Sequence, residues 1–526
     1  MITQTRERNP RRTDRGMALV ATLMMITVFL ILVGALMENL AREVNITGMH
    51  GRSNNALRAD YYAIEQMQYL IEYNDAGLAP GVVPAPIVNA TWTDTDGTVV
   101  LYSVNVDAQR WTSILPYYMI HATASAGTST RSVDALIQKM PFSAYNYFTI
   151  SEQNNLGGAV VYTNGEQFNG PVYSGGPMNI FYQDGLLPIF TNLVTTAHAP
   201  NWIPAAPSTV ADWASIISSQ ANFKQVSQPL QLPTVQDNNA VMYASLVGDP
   251  APAIIPVAPA AAGLYINDAP VAGGGGALNS GIFIRGYANV TSTVVGSVDT
   301  MTFVIFSAGP AQTYHVIVDL VGNTTKVTDV ANNPIASYTG VPSGQQPPGT
   351  SGANGAIYAT GGYGMQSGNV FHGAYTFAVT DPNGGLPNIN FFGSQTYSDP
   401  VNDELAFWAN DMRLIDASNG NIEIDGLLLT GYYGECTAIC NDGTFYNPFC
   451  GAITCGGGTG VLTLKGSLIE NVRGKRGTLG STVSGFSTDS IFDTRLATKP
   501  PPFTPTTTQY NIIALCTTDA GTTCGQ

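Results

Sequence analysis

Six cysteines offer the most varied chemistry in this 526-residue chain: Cys436, Cys440, Cys450, Cys455, Cys516 and Cys524, all near the C-terminus. A thiolate cluster can hold zinc, but zinc sites favour paired C-x-x-C knuckles. Here the first four cysteines are separated by 3, 9 and 4 residues. An even count in an exported chain favours disulfides. The first four are expected to staple a loop, and Cys516 and Cys524 to close the tail; a zinc site is the rival reading. The carboxylates Asp399, Asp403, Glu404, Asp411, Asp416, Glu423 and Asp425 gather in one stretch. Carboxylates can work as acid and base or hold calcium, yet such a run on an acidic chain reads first as a solvated face. The five histidines, His50, His121, His198, His315 and His372, are scattered singly. No G-x-S-x-G, H-E-x-x-H or G-x-x-x-x-G-K-[ST] motif occurs. Thr93–Gly97 (TDTDG) resembles the start of a calcium loop but lacks the closing Glu, so a hairpin turn is expected. The chain is therefore expected to have no catalytic site, no metal and no cofactor.

One cluster opposes the overall charge. The chain has 21 Lys+Arg against 36 Asp+Glu, a net −15, which argues against a general nucleic-acid binder. Lys465, Arg473, Lys475 and Arg476, with Arg495 and Lys499 beyond, form a local basic group. Phosphate contacts dominate DNA affinity, so these four are a candidate DNA-contacting patch. The competing reading is that they point outward from strands and solvate them.

Elements must position these groups, and composition says which kind. Only 11% of residues are charged, while Gly (56) and Pro (32) are abundant and 44% are hydrophobic. That supports a real core made of strands and turns, and it excludes a disordered chain. The length allows two or three domains.

The first elements are helical. Arg6, Arg8, Arg11, Arg12 and Arg15 precede Gly16, and Met17 to Met37 then carries no charge. A bilayer takes about 20 apolar residues as a helix. The positive flank places the N-terminus in the cytoplasm and the rest outside. No small-x-small cleavage site follows the run, as a secretory signal would need. Leu57, Tyr61, Ile64, Met67 and Ile71 continue an apolar stripe at helical spacing. A single helix from Met17 to Tyr73 would be on the order of 85 Å long. Gly48 and Gly51 predict a bend or local melting within it.

Arg15-Gly16 ahead of the apolar stretch from Met17 resembles the class III leader of type IV pilins and pseudopilins. The resemblance implies cleavage after Gly16 by a prepilin peptidase and methylation of Met17, which stands where the family usually has Phe. It also implies that the fifth mature position, here Ala21, takes the place of the usual Glu. In that family the Glu compensates a neighbour's terminal amine inside an apolar bundle, where an unpaired charge is costly. A subunit with Ala21 suits a pilus tip or an initiating complex better than the repeating shaft. A plain uncleaved anchor is the alternative.

After the helix, Val99–Val106, Tyr117–Ala124 and Arg131–Gln138 alternate as half-buried strands. They predict an antiparallel sheet against the helix. From about Gly157 the texture becomes rich in Gly, Asn, Pro and Tyr. The pentamer apolar-x-Gly-x-apolar recurs at Gly170, Gly373, Gly426 and Gly466, though chance alone would yield about 11 such matches at this composition. Its setting within NIEIDGLLLT (421–430) and VLTLKGSLIE (461–470) predicts strands bent sharply at Gly. Stacked strands of this kind predict a parallel β-solenoid, with a Greek-key sandwich as competitor. Pro250–Ala262 and Gly340–Gly368 read as exposed loops.

FNGPVYSGGP (168–177), GIFIRGY (281–287), LTLKGSLIENVRG (462–474) and FDTRLATKPPPFTP (492–505) resemble, in order, segments of a family of large bacterial pilin-like proteins. Tyr173 stands where that family usually has His. The resemblance implies a β-solenoid inserted into a pilin sheet, as in competence-related minor pilins near the pilus tip. The expected fold is thus α+β: a pilin-like part with a long N-terminal helix plus antiparallel sheet, and a large all-β domain of parallel β-solenoid type. The expected divisions are a leader (1–16), transmembrane and amphipathic helix (17–75), sheet (90–150), insertion (155–505), and returning strand Tyr510–Leu515 with the disulfide tail (506–526). The expected function is a non-enzymatic minor pilin at the tip or start of a type IV or competence pilus. Its expected location is the inner membrane through residues 17–37, and later the cell surface. Expected partners are other pilins and minor pilins, the prepilin peptidase, the inner-membrane assembly platform, and DNA or a surface glycan. The alternative is an uncleaved surface adhesin or carbohydrate-binding protein.

Overall fold

A computed structural model describes residues 14–75, 83–107, 110–111, 116–153, 158–163, 166–182, 187–217, 220–226, 229–307, 309–344, 354–379, 388–415, 420–432, 443–450, 455, 459–478 and 484–519. The chain divides into two compact units. One comprises residues 1–110, 116–138 and 510–526; the other comprises 139–509 with 111–115. The second is thus inserted into the first, and begins before the expected residue 155.

The first unit is a helix on a sheet. The helix Asp14–Asp75 runs unbroken for 62 residues. It passes through Gly48 and Gly51 without melting, since two exposed glycines cost only about 1 kcal/mol each in a helix. Ala56, Ala59, Ala63, Ile64, Met67 and Ile71 are buried on one face. They pack on Val100, Tyr102, Val104, Tyr118, Ile120, Val133, Ala135 and Ile137 in one apolar cluster. Small alanines let the helix approach the sheet closely. The strands Ile87–Thr93, Val99–Val106, Pro116–Ala126, Ser129–Pro141 and Thr506–Asp519 lie side by side in that order. The first four are joined as antiparallel neighbours. Residues 94–97 close the first hairpin: Gly97 N–H donates to Asp94 C=O at 2.9 Å, and Gly97 has φ +83°. The last strand returns from the far end of the sequence and sets Tyr510 into the same core, with its C=O accepting from Gln68 at 2.7 Å.

In the second unit, many strands pair in parallel. One ladder runs through Ile282–Arg285, Ala356–Ala359, Ala374–Val379, Glu404–Ala409, Ile422–Thr430 and Gly460–Val472. Gly460–Val472 then pairs with Tyr147–Ser151, and the ladder continues through Val172–Ser174, Val194–Thr196 and Phe223–Gln225. Two runs of parallel strands therefore meet at one seam, where Leu468 faces Tyr147. Other parallel ladders link Tyr363–Met365, Asn388–Phe391 and Asp411–Leu414, and Val161–Tyr162, Asn179–Phe181 and Asn201–Ile203. These ladders are parallel, whereas Tyr287–Val295, Val298–Phe306, Gln312–Asp319, Thr324–Thr328 and Pro334–Thr339 of the same unit pair antiparallel in sequence order.

The main ladder is buried on both sides, which explains its continuous apolar runs. Tyr147, Val172, Ile284, Phe377, Phe407, Leu428 and Leu468 face one core. Their neighbours Phe148, Tyr173, Phe283, Ala378, Trp408, Leu429 and Ile469 face another, shared with Val241, Ala244 and Leu246 of the helix Val235–Val247. Aromatic rings stack from strand to strand, as in Phe377–Phe407 (5.7 Å) and Phe148–Tyr173 (4.5 Å). The Gly340–Gly368 stretch is not simply an exposed loop. It contains the strands Ala356–Ala359 and Tyr363–Met365, which are fully buried. Residues 345–353 lie outside the described residues. Pro250–Ala262 does carry exposed side chains, among them Ile254, Ile255 and Val257.

Candidate functional site

The first candidate site is the apolar end of the long helix. From Leu23 to Met37 the large side chains, including Phe29, Ile31, Leu32 and Leu36, are exposed. An apolar surface this long is not left to water. Among the described residues this is the helix long and apolar enough to cross a membrane. Gly16, Met17 and Ala21 lie within its backbone span, and residues 1–13 of the leader lie outside the described residues.

The second candidate, the basic group, is not an exposed patch. Arg473 and Arg476 are buried, at 2% and 7% exposure. Arg473 donates through Nη2 to Glu166, lies 3.8 Å from Glu152 through Nη1, and sits 3.8 Å over the Tyr162 ring. Arg476 pairs with Glu470 at 3.2 Å. Lys465 pairs with Glu423, Arg495 with Asp493 at 2.6 Å, and Lys499 with Glu404 at 2.5 Å. Lys475 also makes contacts. Phosphate recognition needs accessible charge, and these charges are already answered.

Together they form a network at the seam. Glu470 Oε1 accepts from Phe445 N–H (2.8 Å) and Gly474 N–H (3.1 Å), and Oε2 from the Tyr147 hydroxyl (3.2 Å). Glu152 Oε1 accepts from the hydroxyls of Tyr162 and Ser174, both at 2.8 Å. Burial pushes the Glu152 carboxyl up, and Arg473 pulls it back only in part. A cleft of about 340 Å³ adjoins the network, lined by Thr163, Glu166, Arg473, Lys475, Arg476 and Ser487. The residues come from both runs of strands, so the network bridges the seam.

The acidic stretch is likewise not a solvated face. Asp403 is buried, accepts from Gly373 N–H at 2.8 Å, and meets His372 Nδ1 at 3.0 Å. Asp299 approaches the same histidine, accepting from its backbone N–H at 3.1 Å, and burial holds its carboxyl near 7. Asp411 accepts from Gly443 and Thr444 N–H. Asp425 accepts from Tyr397 N–H, and burial raises it to about 6. Asp399 ties its own turn through Val401 and Asn402. Asp416 lies outside the described residues. The histidines are not all isolated either: His121 meets Asp134 at 2.8 Å and His315 meets Thr302 at 2.8 Å. Among the described residues no cluster is arranged to hold a metal ion.

Cys450 and Cys455 are bonded to each other, which removes both from a zinc site. Cys516 is also disulfide-bonded. Cys436, Cys440 and Cys524 lie outside the described residues. The sequence offered no sign of the buried Asp60 on the long helix. Both its carboxylate oxygens lack a hydrogen bond among the described residues, and burial raises the group to about 7 against the pull of Arg131.

No family model and no curated protein matches the chain. Among similar solved structures is the competence-associated pilin ComZ from Thermus thermophilus, with 10% identity, 90% of this chain and 97% of that chain covered, and a TM-score of 0.28. A score that low lends no weight to either fold or function, so the reading rests on the chain's own geometry. That geometry ties neighbouring strands together through buried ion pairs and offers a helix long and apolar enough to cross a membrane.

Proposed function

We propose that the chain is a minor pilin-like subunit, held in a membrane by its N-terminal helix and carrying a β-rich insertion for surface contact. One observation carries this reading. A single 62-residue helix exposes its apolar first half and buries its second half under an antiparallel sheet that the chain's last strand completes. A lone membrane anchor needs only about 20 residues. The extra turns make one continuous element of the anchor and the domain's own core.

The finer reading follows from the sequence. The leader is cut after Gly16 by a prepilin peptidase, and Met17 becomes the N-terminus. Ala21 in place of an acidic residue suits a tip or initiating position. The parallel ladders are read as the faces of a β-solenoid, a stack that offers a long repetitive surface to a glycan or to DNA. The chain works without catalysis. Its partners are other pilins and minor pilins and the inner-membrane assembly platform.

N-terminal sequencing of the protein from its native membrane tests this. A start at a methylated Met17, with recovery alongside other fibre subunits, is the expected result. An intact Met1 would overturn it in favour of an uncleaved, anchored adhesin.

A further inference from the structure

Cations that are buried or half-buried in the inserted unit have answering groups. Arg473, Arg476, Arg495 and Lys465 meet carboxylates, as does the exposed Lys499, and Arg413 lies over the Tyr446 ring. Arg285 differs. It is half-buried at the end of the strand Ile282–Arg285. Among the described residues its guanidinium has no hydrogen bond and no ion pair. In a chain of net charge −15, a partly desolvated guanidinium without a carboxylate is an unmet demand.

It also lines a cleft. The space measures about 300 Å³ and is bounded by Ala260, Ala262, Gly286, Phe306, Ser307 and Thr360 in addition to Arg285. No carboxylate is among these. The walls are fixed by a tight corner: Gly286 has φ +127°, and a Cβ there would lie 2.8 Å from the Phe306 carbonyl oxygen. Gly286 N–H donates to Thr360 Oγ1 at 3.1 Å, and Gly361 N–H donates to Gly286 C=O at 3.0 Å. Thr360 is 9% exposed. Its oxygen accepts that bond, while its own O–H proton has no acceptor among the described residues. Two donors thus meet in one cleft, a guanidinium fork and a hydroxyl. Phe306, 42% exposed, provides an apolar wall.

We propose that the Arg285 cleft is a binding site for an oxyanion group, a carboxylate or a phosphate monoester, on a ligand whose ring or apolar part rests on Phe306. Arginine matches the planar, two-oxygen geometry of such groups. The cleft at the seam, by contrast, has its guanidinium groups already paired with glutamates. The proposal is independent of how the chain is anchored or processed.

Calorimetric titration of the full-length protein in detergent micelles tests it, with galacturonate, inorganic phosphate and neutral galactose as probes. Saturable binding of at least one charged probe and none of galactose is expected. The better charged probe tells a sugar carboxylate from a phosphate. Arg285→Gln should weaken binding at least about tenfold, Thr360→Val should weaken it too, and Lys326→Gln, an exposed side chain on the strand Thr324–Thr328, should leave it unchanged. Two results would overturn the proposal. One is no saturable binding of either anion up to about 10 mM. The other is undiminished affinity in an Arg285→Gln protein whose circular dichroism matches the parent. If that variant does not fold, Thr360→Val is judged by the same criterion.

Discussion

A guanidinium survives inside a protein only among carboxylates and rings, and Arg473 has both. Truncating it would leave Glu152 and Glu166 without their cation. Arg473→Ala should therefore destabilise the inserted unit by about 3–5 kcal/mol, read as a lowered midpoint in urea unfolding. Asp60 makes the opposite case, a buried carboxyl with no hydrogen bond. Its folded value is about 7 against 3.8 unfolded. Between those values the native state keeps a proton that the unfolded chain releases. Its contribution to stability is therefore greatest below pH 4 and falls as pH rises towards 7. Asp60→Asn should raise stability at pH 8 by about 2 kcal/mol and change it little at pH 4, as thermal melts at the two values would show. Asp299 acts in the same direction, so part of the slope should persist in that variant. None of this was legible in the sequence. A basic or acidic run shows composition, whereas Glu166 and Glu152 lie some three hundred residues from Arg473 along the chain. Asp60 looked like any polar residue on an amphipathic helix.

Elements were more legible than contacts. The alternating runs at 99–106, 117–124, 131–138 and 510–515 all fall within strands. The glycine pentamers also proved meaningful at particular sites. Gly426 and Gly466 face each other in adjacent parallel strands, with φ +115° and +143°. A Cβ on Gly466 would stand 2.1 Å from the Gly426 carbonyl oxygen. Gly466→Ala should therefore cost at least about 2 kcal/mol and increase protease sensitivity, whereas Gly296→Ala, in an open turn, should be milder. The same chemistry misled the reading of Gly340–Gly368. Glycine there marks close packing as well as looseness: a Cβ on Gly361 would lie 2.5 Å from Tyr287 N. Sequence texture does not separate a glycine that permits motion from one that permits contact.

For the whole molecule, the legible fact was the interruption: a helix and strands at the start, and one more strand of the same sheet at the end. Its boundary was harder to place. The inserted unit begins at 139 because Phe142, Tyr145 and Phe148 join its core directly, and no change of composition marks the crossing. Pro141 ends one strand and Thr506 begins the next, and Phe142 N–H donates to Pro505 C=O at 3.1 Å. Replacing residues 142–505 by a short Gly-Ser linker should leave a folded helix-and-sheet protein. Its circular dichroism and cooperative melting in detergent would check this. Departure and return thus lie next to each other at the seam, inside the stack and not at either extremity. A strand layer duplicated or lost at an outer end would leave both splice points where they are. The length of the inserted unit could therefore drift over evolutionary time while residues 141–142 and 505–506 keep their places.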